Sequence, residues 1–323
     1  MKLSVAICTR NRASSLRNTL QSLTYARVSP DLRWEILVVN NNSTDATDLV
    51  IDSFADRLPI RRLMARKVGI SNARNAAVKA VQGQYILWTD DDVIVSRSWI
   101  EEYCWAFERW PNAVLFGGPI CPVFEKPVPR WLQKGWHAVP PAFAAVDLGN
   151  KPRKFSVRDG KIPYGANFAI RRAEQFENLY NPELGPGTIY YGEETSVIIR
   201  MLNAGAEGWW VPAAAVDHMI PQTRMTLEYV WNYYKRSGRS QYYINHHTDL
   251  NATAHSERRL LGRPRWLWRR IVEAELKFWL SRIFRSPEHW LTALRIRGEA
   301  WGAFEESGRA RSFAPADEFS LLD

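Results

Sequence analysis

The sequence predicts an α/β fold in which a mixed, mostly parallel sheet is flanked by helices and followed by a helical C-terminal extension. Apolar, strand-like segments alternate with helix-like segments through the first half of the chain, which is the order that a parallel sheet requires. After Pro221 the pattern becomes wholly helical. A chain of 323 residues with 46% hydrophobic and 24% charged residues can bury a sizeable core. We therefore expect one domain over residues 1–220 and a basic, Trp-rich helical region over residues 221–323.

The first predicted elements alternate between strand and helix. An apolar strand over Leu3–Cys8 is followed by leucines spaced four and three residues apart, at Leu16, Leu20 and Leu23, which indicate a helix. A second strand follows over Trp34–Val39. Two strands joined by a helix pair in parallel, so we expect these two to be neighbours.

The next elements repeat this order. We predict a third strand over Arg61–Ala65 and an alanine-rich helix over Asn72–Val81, which ends before Gly83. Tyr85–Thr89 then forms an apolar strand that runs into three consecutive aspartates.

Polar residues end three of these strands, namely Thr9, Asn40 and Asp90. Ligands in open α/β sheets bind beyond the carboxyl ends of the strands, so we expect these residues to meet at one site. In an extended chain Asp90 and Asp92 point the same way and can share a hard divalent cation, Mg²⁺ or Mn²⁺, which would bridge a diphosphate. The alternative is a solvated acidic turn. In a buried crevice, however, three carboxylates would repel one another without a cation.

The second half of the domain is less regular. Residues Pro119–Pro163 are rich in proline, tryptophan and basic residues and show no steady period, which favours a long functional loop. Order returns with a strand over Tyr164–Arg171, a helix over Glu193–Asn203 and a strand over Gly208–Ala215.

Composition excludes several classes of protein. Cys8, Cys104 and Cys121 share no metal-ligand spacing and cannot all pair, which excludes a disulfide framework and favours buried structural thiols in a reducing compartment. No run of about 18 apolar residues occurs, and the apolar stretch at the N-terminus is too short for a signal peptide. We therefore expect a cytoplasmic protein that does not span a membrane.

Five short motifs occur in a fixed order over residues 1–218. They are Cys8–Arg12, Val38–Asp45, Gly69–Asn75, Thr89–Asp92 and Gly192–Thr195. Together they resemble the glycosyltransferase family 2 enzymes, which have the GT-A fold. The resemblance implies an inverting transfer of a sugar from a nucleotide-diphosphate sugar to an acceptor hydroxyl, with a UDP-sugar favoured and a GDP-sugar possible.

The resemblance also implies a set of residues that bind the nucleotide sugar. These are Thr9, Arg10, Arg12, Asn40, Asn42, Asn72, Arg74, Asp90 and Asp91. Asn40 stands where the family usually has an aspartate that binds the base, and an amide can pair with uracil or with other bases. Asn72 and Arg74 would open a helix, where free N–H groups and a guanidinium suit a diphosphate. Asp45 suits a helix cap as well as it suits a ligand contact.

The remaining implied roles concern the metal and the base. Asp92 would ligate the cation directly, Asp90 would hold it through water or hold the ribose, and His218 could complete the site or be a core histidine. The family places Glu-Asp where this chain has Glu193-Glu194, so Glu194 takes the role of catalytic base with Glu193 beside it. A glutamate at a helix start is also favoured by the helix dipole.

On the acceptor side, Gly165 and Asn167 resemble a family strand, although Gly165 could be a simple bulge. Trp131, in the long loop, would cover a carbohydrate or lipid-linked acceptor.

The C-terminal region carries most of the excess positive charge. Of the formal net charge of +9, the stretch from residue 256 to 311 supplies six, with thirteen basic and seven acidic residues. Tryptophans recur every eleven residues at Trp268, Trp279, Trp290 and Trp301. Basic helices with tryptophan at the apolar edge suit an anionic membrane surface. The alternatives are packing on the catalytic domain or contact with another subunit, and no recognised nucleic-acid-binding module is present.

Two other functions remain open from the residues. A sugar nucleotidyltransferase could share the α/β fold and the acidic site, but it should carry a glycine-rich phosphate loop, and residues 4–12 contain no glycine. A non-catalytic interaction protein would have no need to retain the acidic residues. We favour the glycosyltransferase, acting in polysaccharide or glycolipid assembly at the cytoplasmic membrane face.

Overall fold

The structure is a computed structural model that describes residues 2–247, 258–283 and 286–309. Arg285 and Arg311, counted above among the basic residues, lie outside the described residues. The strands are β1 (Lys2–Thr9), β2 (Arg33–Asn40), β3 (Ile60–Met64), β4 (Tyr85–Asp90), β5 (Val93–Val95), β6 (Leu115–Gly117), β7 (Ile120–Phe124), β8 (Arg153–Lys154), β9 (Asn167–Arg171), β10 (Gly208–Trp210), β11 (Val216–Ile220), β12 (Arg259–Leu260) and β13 (Arg263–Pro264). The α-helices are α1 (Ala13–Leu23), α2 (Thr47–Asp52), α3 (Ile70–Ala80), α4 (Trp99–Arg109), α5 (Arg130–Gly135), α6 (Arg172–Glu177), α7 (Glu193–Asn203), α8 (Leu227–His247), α9 (Arg265–Ile283) and α10 (Pro287–Ser307).

The predicted mixed, mostly parallel sheet is confirmed. Its strand order is β3-β2-β1-β4-β9-β6-β10-β8, with β3, β2, β1 and β4 mutually parallel and β9 antiparallel to both of its neighbours. The register places Thr9 opposite Asn40 and Cys8 opposite Asp90. The three polar strand ends therefore lie side by side at one edge of the sheet, as the sequence predicts.

The alternation of side chains along β1 builds a core on each face of the sheet. Leu3, Val5 and Ile7 are buried in a cluster with the leucines of α1. Ala6 points the other way, into a cluster with the alanines of α3. Because successive residues of a strand face opposite sides, one apolar strand supports both helix layers.

The segment predicted as a long loop over residues 119–163 is instead partly ordered, so that prediction is wrong. It contains β7 and α5, and β7 joins β11 and β5 in a second, three-stranded sheet. The register places His218 opposite Val93 on one side and Pro122 on the other. A strand of five residues that includes proline gives almost no periodic signal. Cys121 in β7 is exposed, which corrects the expectation of a buried thiol.

Asn167, which the resemblance places on the acceptor side, has its side chain inside the protein. Its side chain is fully buried and all four of its hydrogen bonds are made within the protein. The Oδ1 atom accepts from the indole of Trp99 and the hydroxyl of Tyr103, both at 2.8 Å. Its Nδ2 donates to the carbonyl oxygens of Pro119 at 2.9 Å and Ala214 at 2.7 Å. An amide with no free donor or acceptor fastens β9 to its surroundings rather than binding a ligand.

The C-terminal helices pack against the rest of the chain. Val230 of α8 and Leu291 of α10 share a buried cluster with Leu132 and Phe143, which belong to the segment after β7. Helices α8 and α10 approach so closely at Gly302 that no other residue would fit there. A Cβ atom at this position would lie 1.8 Å from the carbonyl oxygen of Lys235. The packing alternative therefore accounts for the inner faces of these helices, and a division of the chain at residue 220 stays a prediction.

Asn167→Ala should destabilise the protein by at least about 2 kcal/mol, because it leaves the buried donors of Trp99 and Tyr103 and the carbonyl oxygen of Ala214 without these partners. Urea unfolding followed by circular dichroism measures this. The exposed Asn112→Ala is the matched control and should stay within about 0.5 kcal/mol of the parent protein. Equal stability of the two variants would contradict the role given to Asn167.

Candidate functional site

The carboxyl ends of β1 and β4 meet in a network of charged side chains. The hydroxyl of Thr9 donates its one proton to Oδ2 of Asp91 at 2.7 Å. Arg12, in the loop after β1, places its Nε atom 3.2 Å from Oδ1 of Asp91. Burial raises the pKa of Asp91 to about 7, against the opposing charge of Arg12 and the hydrogen bond from Thr9. Thr9, Arg12 and Asp91 thus form one polar cluster, and Asp91 is its buried support.

Asp92 is surrounded by basic side chains. Its Oδ2 atom lies 2.6 Å from Nη2 of Arg12, 3.4 Å from Nε2 of His218 and 4.0 Å from Nη2 of Arg224. Burial opposes ionisation, but the hydrogen bond with His218 and the charges of His218 and Arg12 outweigh it and hold the pKa of Asp92 well below its usual range. Arg224 was missed by the sequence reasoning, because it stands in a short 3₁₀ turn after β11 that belongs to none of the motifs.

The two ring nitrogens of His218 test whether this site suits a metal. Nδ1 lies 3.2 Å from the carbonyl oxygen of Phe143, while Nε2 faces Asp92. Both ring nitrogens therefore face oxygen acceptors. A histidine that ligates a metal commonly has its other ring nitrogen against a backbone carbonyl oxygen, as Nδ1 is placed here. The donors of Asp92 and His218 therefore fit a divalent cation.

The predicted triad of metal ligands does not converge in this structure. Within the part of the chain that the structure describes, no three His, Cys, Asp or Glu side chains are arranged to hold a metal ion. The reason is local geometry. The strand ends at Asp90, and Asp91 and Asp92 form a turn, so Asp90 and Asp92 do not alternate as they would in an extended chain. Asp90 instead lies 3.4 Å from Nη2 of Arg74.

Arg74 is buried beneath the site rather than placed at the helix start. Helix α3 begins at Ile70, so Arg74 lies beyond its first turn. Its guanidinium carbon is 5.6 Å from the ring of Trp88 and 5.5 Å from that of Tyr180. The Nη1 atom of Arg74 is buried without a hydrogen-bond partner. Buried polar atoms are normally paired, so this donor is a candidate contact for a ligand.

The Glu193-Glu194 pair begins α7 and faces Arg74 across a glycine. A Cβ atom on Gly165 would lie 3.0 Å from Oε1 of Glu194 and 3.1 Å from Nη2 of Arg74. The missing side chain of Gly165 therefore lets Glu194 and Arg74 approach the backbone closely. Glu193 is buried, and burial together with the charge of Glu194 raises the pKa of Glu193 to about 8. Near neutral pH this favours a proton on Glu193.

Several predicted ligand residues instead shape the loops around the site. Asn40 is buried, donates from Nδ2 to Asp48 at 2.7 Å and accepts from the backbone N–H of Ser43 at 2.8 Å. The Asn40 amide thus orients the turn that follows β2. A direct contact of Asn40 with the nucleotide base stays a prediction. Asp45 accepts from the N–H groups of Ala13 and Thr47, at 3.0 and 3.1 Å. Asp45 thus accepts from the first N–H group of α1 and of α2, although the N-cap residue of α2 is Ala46, and a ligand contact of Asp45 stays a prediction.

The other predicted positions are at the surface or partly buried. Arg10 is exposed, Asn42 adopts a left-handed φ of 59°, and Asn72 donates to the carbonyl oxygen of Val68 at 2.9 Å. Trp131 is half-buried against the cluster formed with the C-terminal helices. Their contacts with a ligand stay predictions.

The C-terminal helix α8 holds the segment 185–191, which precedes the glutamate pair. The backbone N–H of Tyr191 donates to the hydroxyl of Ser240 at 2.6 Å. Arg236 donates to the carbonyl oxygen of Thr188, and its guanidinium carbon lies 3.8 Å from the ring of Tyr191. No motif of the sequence indicates these contacts, because they join residues about 50 positions apart. They make the position of the glutamate pair depend on the C-terminal region.

Comparison with known proteins decides the family. The sequence profile of Glycosyl transferase family 2 matches residues 4–173, more than half of the chain. The chain belongs to glycosyl transferase family 2. This confirms the resemblance drawn from the five motifs, and the match ends before the glutamate pair of α7.

Two relatives resemble this family 2 chain over different lengths. The succinoglycan biosynthesis protein ExoM of Rhizobium meliloti (strain 1021) is 25% identical over 245 residues, 74% of each protein. The glucosyl-dolichyl phosphate glucuronosyltransferase of Haloferax volcanii is 27% identical over 177 residues, 53% of each protein.

Solved structures confirm the GT-A fold. The mannosyltransferase PcManGT from Pyrobaculum calidifontis, in complex with GDP-Man and Mn²⁺, matches with a TM-score of 0.58 at 14% identity, covering 94% of this chain and 86% of that one. TarS 1-349 of S. aureus, in complex with UDP-GlcNAc, matches with a TM-score of 0.53 at 15% identity, covering 94% and 90%.

Arg236→Gln should raise hydrogen exchange in residues 185–191 about tenfold, because a charge-assisted hydrogen bond to this segment is lost. Exchange mass spectrometry measures this segment directly. Lys235→Gln is the control, since Lys235 is the preceding residue of the same helix and pairs with Glu305 instead. Equal exchange in the two variants would show that Arg236 does not hold the segment.

Proposed function

We propose that this family 2 enzyme transfers a sugar, with inversion and with a divalent metal, from a nucleotide-diphosphate sugar to an acceptor hydroxyl. The observation that carries the proposal is the placement of Glu194 beside Gly165 and Arg74, at the same sheet edge as the aspartates. A carboxylate that can take a proton therefore lies next to groups suited to a nucleotide diphosphate. Direct displacement at the anomeric carbon inverts its configuration.

The donor would occupy the edge formed by the ends of β1, β2 and β4. Arg12 and Arg74 supply guanidinium donors, which suit phosphate oxygens, and Thr9 lies beside them with its hydroxyl bound to Asp91. The unpaired Nη1 atom of Arg74 is the strongest single argument for such a contact. A UDP-sugar is favoured and a GDP-sugar is the alternative, since the two solved structures compared above hold UDP-GlcNAc and GDP-Man.

Asp92 and His218 would hold the cation, Mn²⁺ or Mg²⁺, with Asp90 reaching it through water. When bound, such a cation neutralises the charge that develops on the leaving diphosphate. Imidazole suits Mn²⁺ better than Mg²⁺. The Mn²⁺ in the PcManGT complex supports a divalent metal in this fold.

Glu194 would act as the general base. It is half-exposed at the start of α7, whereas Glu193 is buried and has a raised pKa. Glu194 can therefore accept the proton of the acceptor hydroxyl as that oxygen attacks the anomeric carbon. Glu193 supports it by staying neutral, which avoids two adjacent negative charges.

The acceptor would approach from the side of Gly165 and Trp131, and we propose a carbohydrate or lipid-linked acceptor. The relative that acts in succinoglycan biosynthesis supports a role in polysaccharide assembly, and the dolichyl phosphate relative supports a glycolipid. We place the reaction at the cytoplasmic membrane face. None of the helices described is both long and apolar enough to cross a membrane. Contacts between copies through the C-terminal helices are the alternative use of that region.

Asp92→Asn should abolish the gain in UDP affinity that Mn²⁺ gives, a loss of at least about tenfold, because an amide is a weaker ligand than a carboxylate. Calorimetric titration of UDP with Mn²⁺ and with a chelator measures it. Asp217→Asn, an exposed carboxylate next to His218 in the chain, is the control and should keep the parent affinities. Unchanged metal dependence in Asp92→Asn would remove Asp92 from the metal site.

Glu194→Gln should lower turnover by roughly two to four orders of magnitude, the span expected for loss of a general base, while donor affinity stays unchanged. Release of the nucleotide diphosphate from a panel of UDP- and GDP-sugars measures turnover. Glu193→Gln should lower turnover less than Glu194→Gln does, because glutamine resembles the neutral form of Glu193. A larger loss in Glu193→Gln would move the base by one residue, and full activity in both variants would discard the mechanism.

A further inference from the structure

Helix α9 has apolar side chains on two opposite faces. Its inner face is buried against α8 and α10 and contains Leu267, Ile271, Ala274, Phe278 and Ser281. Its outer face carries a second apolar set in which every side chain is more than half exposed. We call this set the outer stripe; it consists of Val272, Leu276, Trp279, Leu280 and Ile283, at 56%, 57%, 59%, 54% and 71% exposure.

The spacing of the outer stripe makes it one continuous surface. Its members follow one another at intervals of four, three, one and three residues, which confines them to an arc of about 100° on a helix. Scattered apolar residues are normal on a protein surface, but a contiguous patch of this kind marks an interaction site. The inner face already supplies the contacts that fold α9 onto the protein, so the outer stripe is not needed for that.

The tryptophans with an eleven-residue repeat separate into two roles. Trp268 donates to the carbonyl oxygen of Leu260, Trp301 donates to Glu275, and Trp290 is partly buried in the third apolar cluster. These three therefore serve packing within the protein. Trp279 alone of the four is largely exposed. The eleven-residue repeat of tryptophans therefore does not mark an interaction surface. The outer stripe of α9 does.

The charges beside the outer stripe select its occupant. Exposed Lys277 and Arg282 lie on its two sides, and Arg269 is exposed one turn before it begins. The exposed acid in this part of the helix is Glu273, which Arg269 already pairs at 2.6 Å. The surface is therefore apolar along its centre and positive at its edges.

A second copy of the chain is a poor occupant for this surface. A two-fold contact brings the same patch of both subunits together, so the basic edges would face each other. An anionic lipid surface attracts those edges and accepts the apolar side chains among its acyl chains. Helix α9 would then lie in the plane of the interface.

We propose that the outer stripe of α9, with Lys277 and Arg282 at its edges, is the surface that rests on an anionic membrane. This deepens the membrane location given under the proposed function. We include in this membrane surface the short β12-β13 hairpin, which precedes α9. Its residues Leu260 and Leu261 are 50% and 80% exposed and directly follow two arginines. Lipid contact would thus be made by side chains on one helix and by the hairpin that precedes it.

Cosedimentation of the full chain with vesicles tests the proposal. Phosphatidylcholine vesicles with added phosphatidylglycerol should bind the protein at least about tenfold better than phosphatidylcholine alone. Trp279→Glu should lose about tenfold of this binding, because it places a charge in the acyl region. Trp105→Glu is the matched control, since Trp105 is 47% exposed on α4, and it should bind like the parent protein.

Further measurements separate the competing outcomes. Lys277→Gln with Arg282→Gln should weaken binding to anionic vesicles and leave the residual binding to neutral vesicles unchanged. Binding that ignores lipid charge, or that survives Trp279→Glu in a variant with parent-like thermal unfolding, would overturn the proposal. So would a dimer, seen by light scattering, that Trp279→Glu converts to a monomer while vesicle binding persists. UDP titration reports on the transferase function separately, because vesicle binding requires no turnover.

Discussion

The arrangement of the site depends on how the protein accommodates carboxylates at one edge of the sheet. Parallel strands align their ends, so the end of β4 brings Asp90 and then the turn with Asp91 and Asp92 to the same place as the end of β1. Buried carboxylates are costly unless they are paired. Arg12, Arg74 and His218 supply the pairing, and each comes from a different part of the chain. Because Arg12 and His218 share Asp92, a cation bound there would have to share or replace their contacts.

The walls of the site are held by side chains that do no chemistry. Asn167 joins β9 to Trp99 and Tyr103 of α4 and to the two backbone carbonyl groups that it contacts. The same strand follows Gly165, so fixing β9 also fixes the point at which Glu194 and Arg74 approach each other. A loosely held β9 would change the distance between the base and the donor side, on which proton transfer depends.

The C-terminal helices serve two separate purposes. Their inner faces hold the segment before Glu193, through α8 and through the hydrogen bond of 2.6 Å from the Tyr190 hydroxyl to Glu306 of α10. The outer stripe of α9 faces away from this packing and carries the features of a lipid-binding surface. If both assignments hold, membrane binding and the geometry of the base are connected through three packed helices. The C-terminal region would then be part of the enzyme rather than an appendage.

The sequence by itself determined the alternating α/β order, the alignment of Thr9, Asn40 and Asp90, and α7 with its bounds, because these depend on local periodicity and on the rule that parallel strands share their ends. The family followed from short motifs in order. Only the tertiary structure decided that Asn167 is structural, that Asp90 turns to Arg74, and that Arg224 and Arg236 reach the site and its supporting segment. Those contacts join residues far apart in the chain. Local sequence carries no signal for a partner that the fold alone brings near.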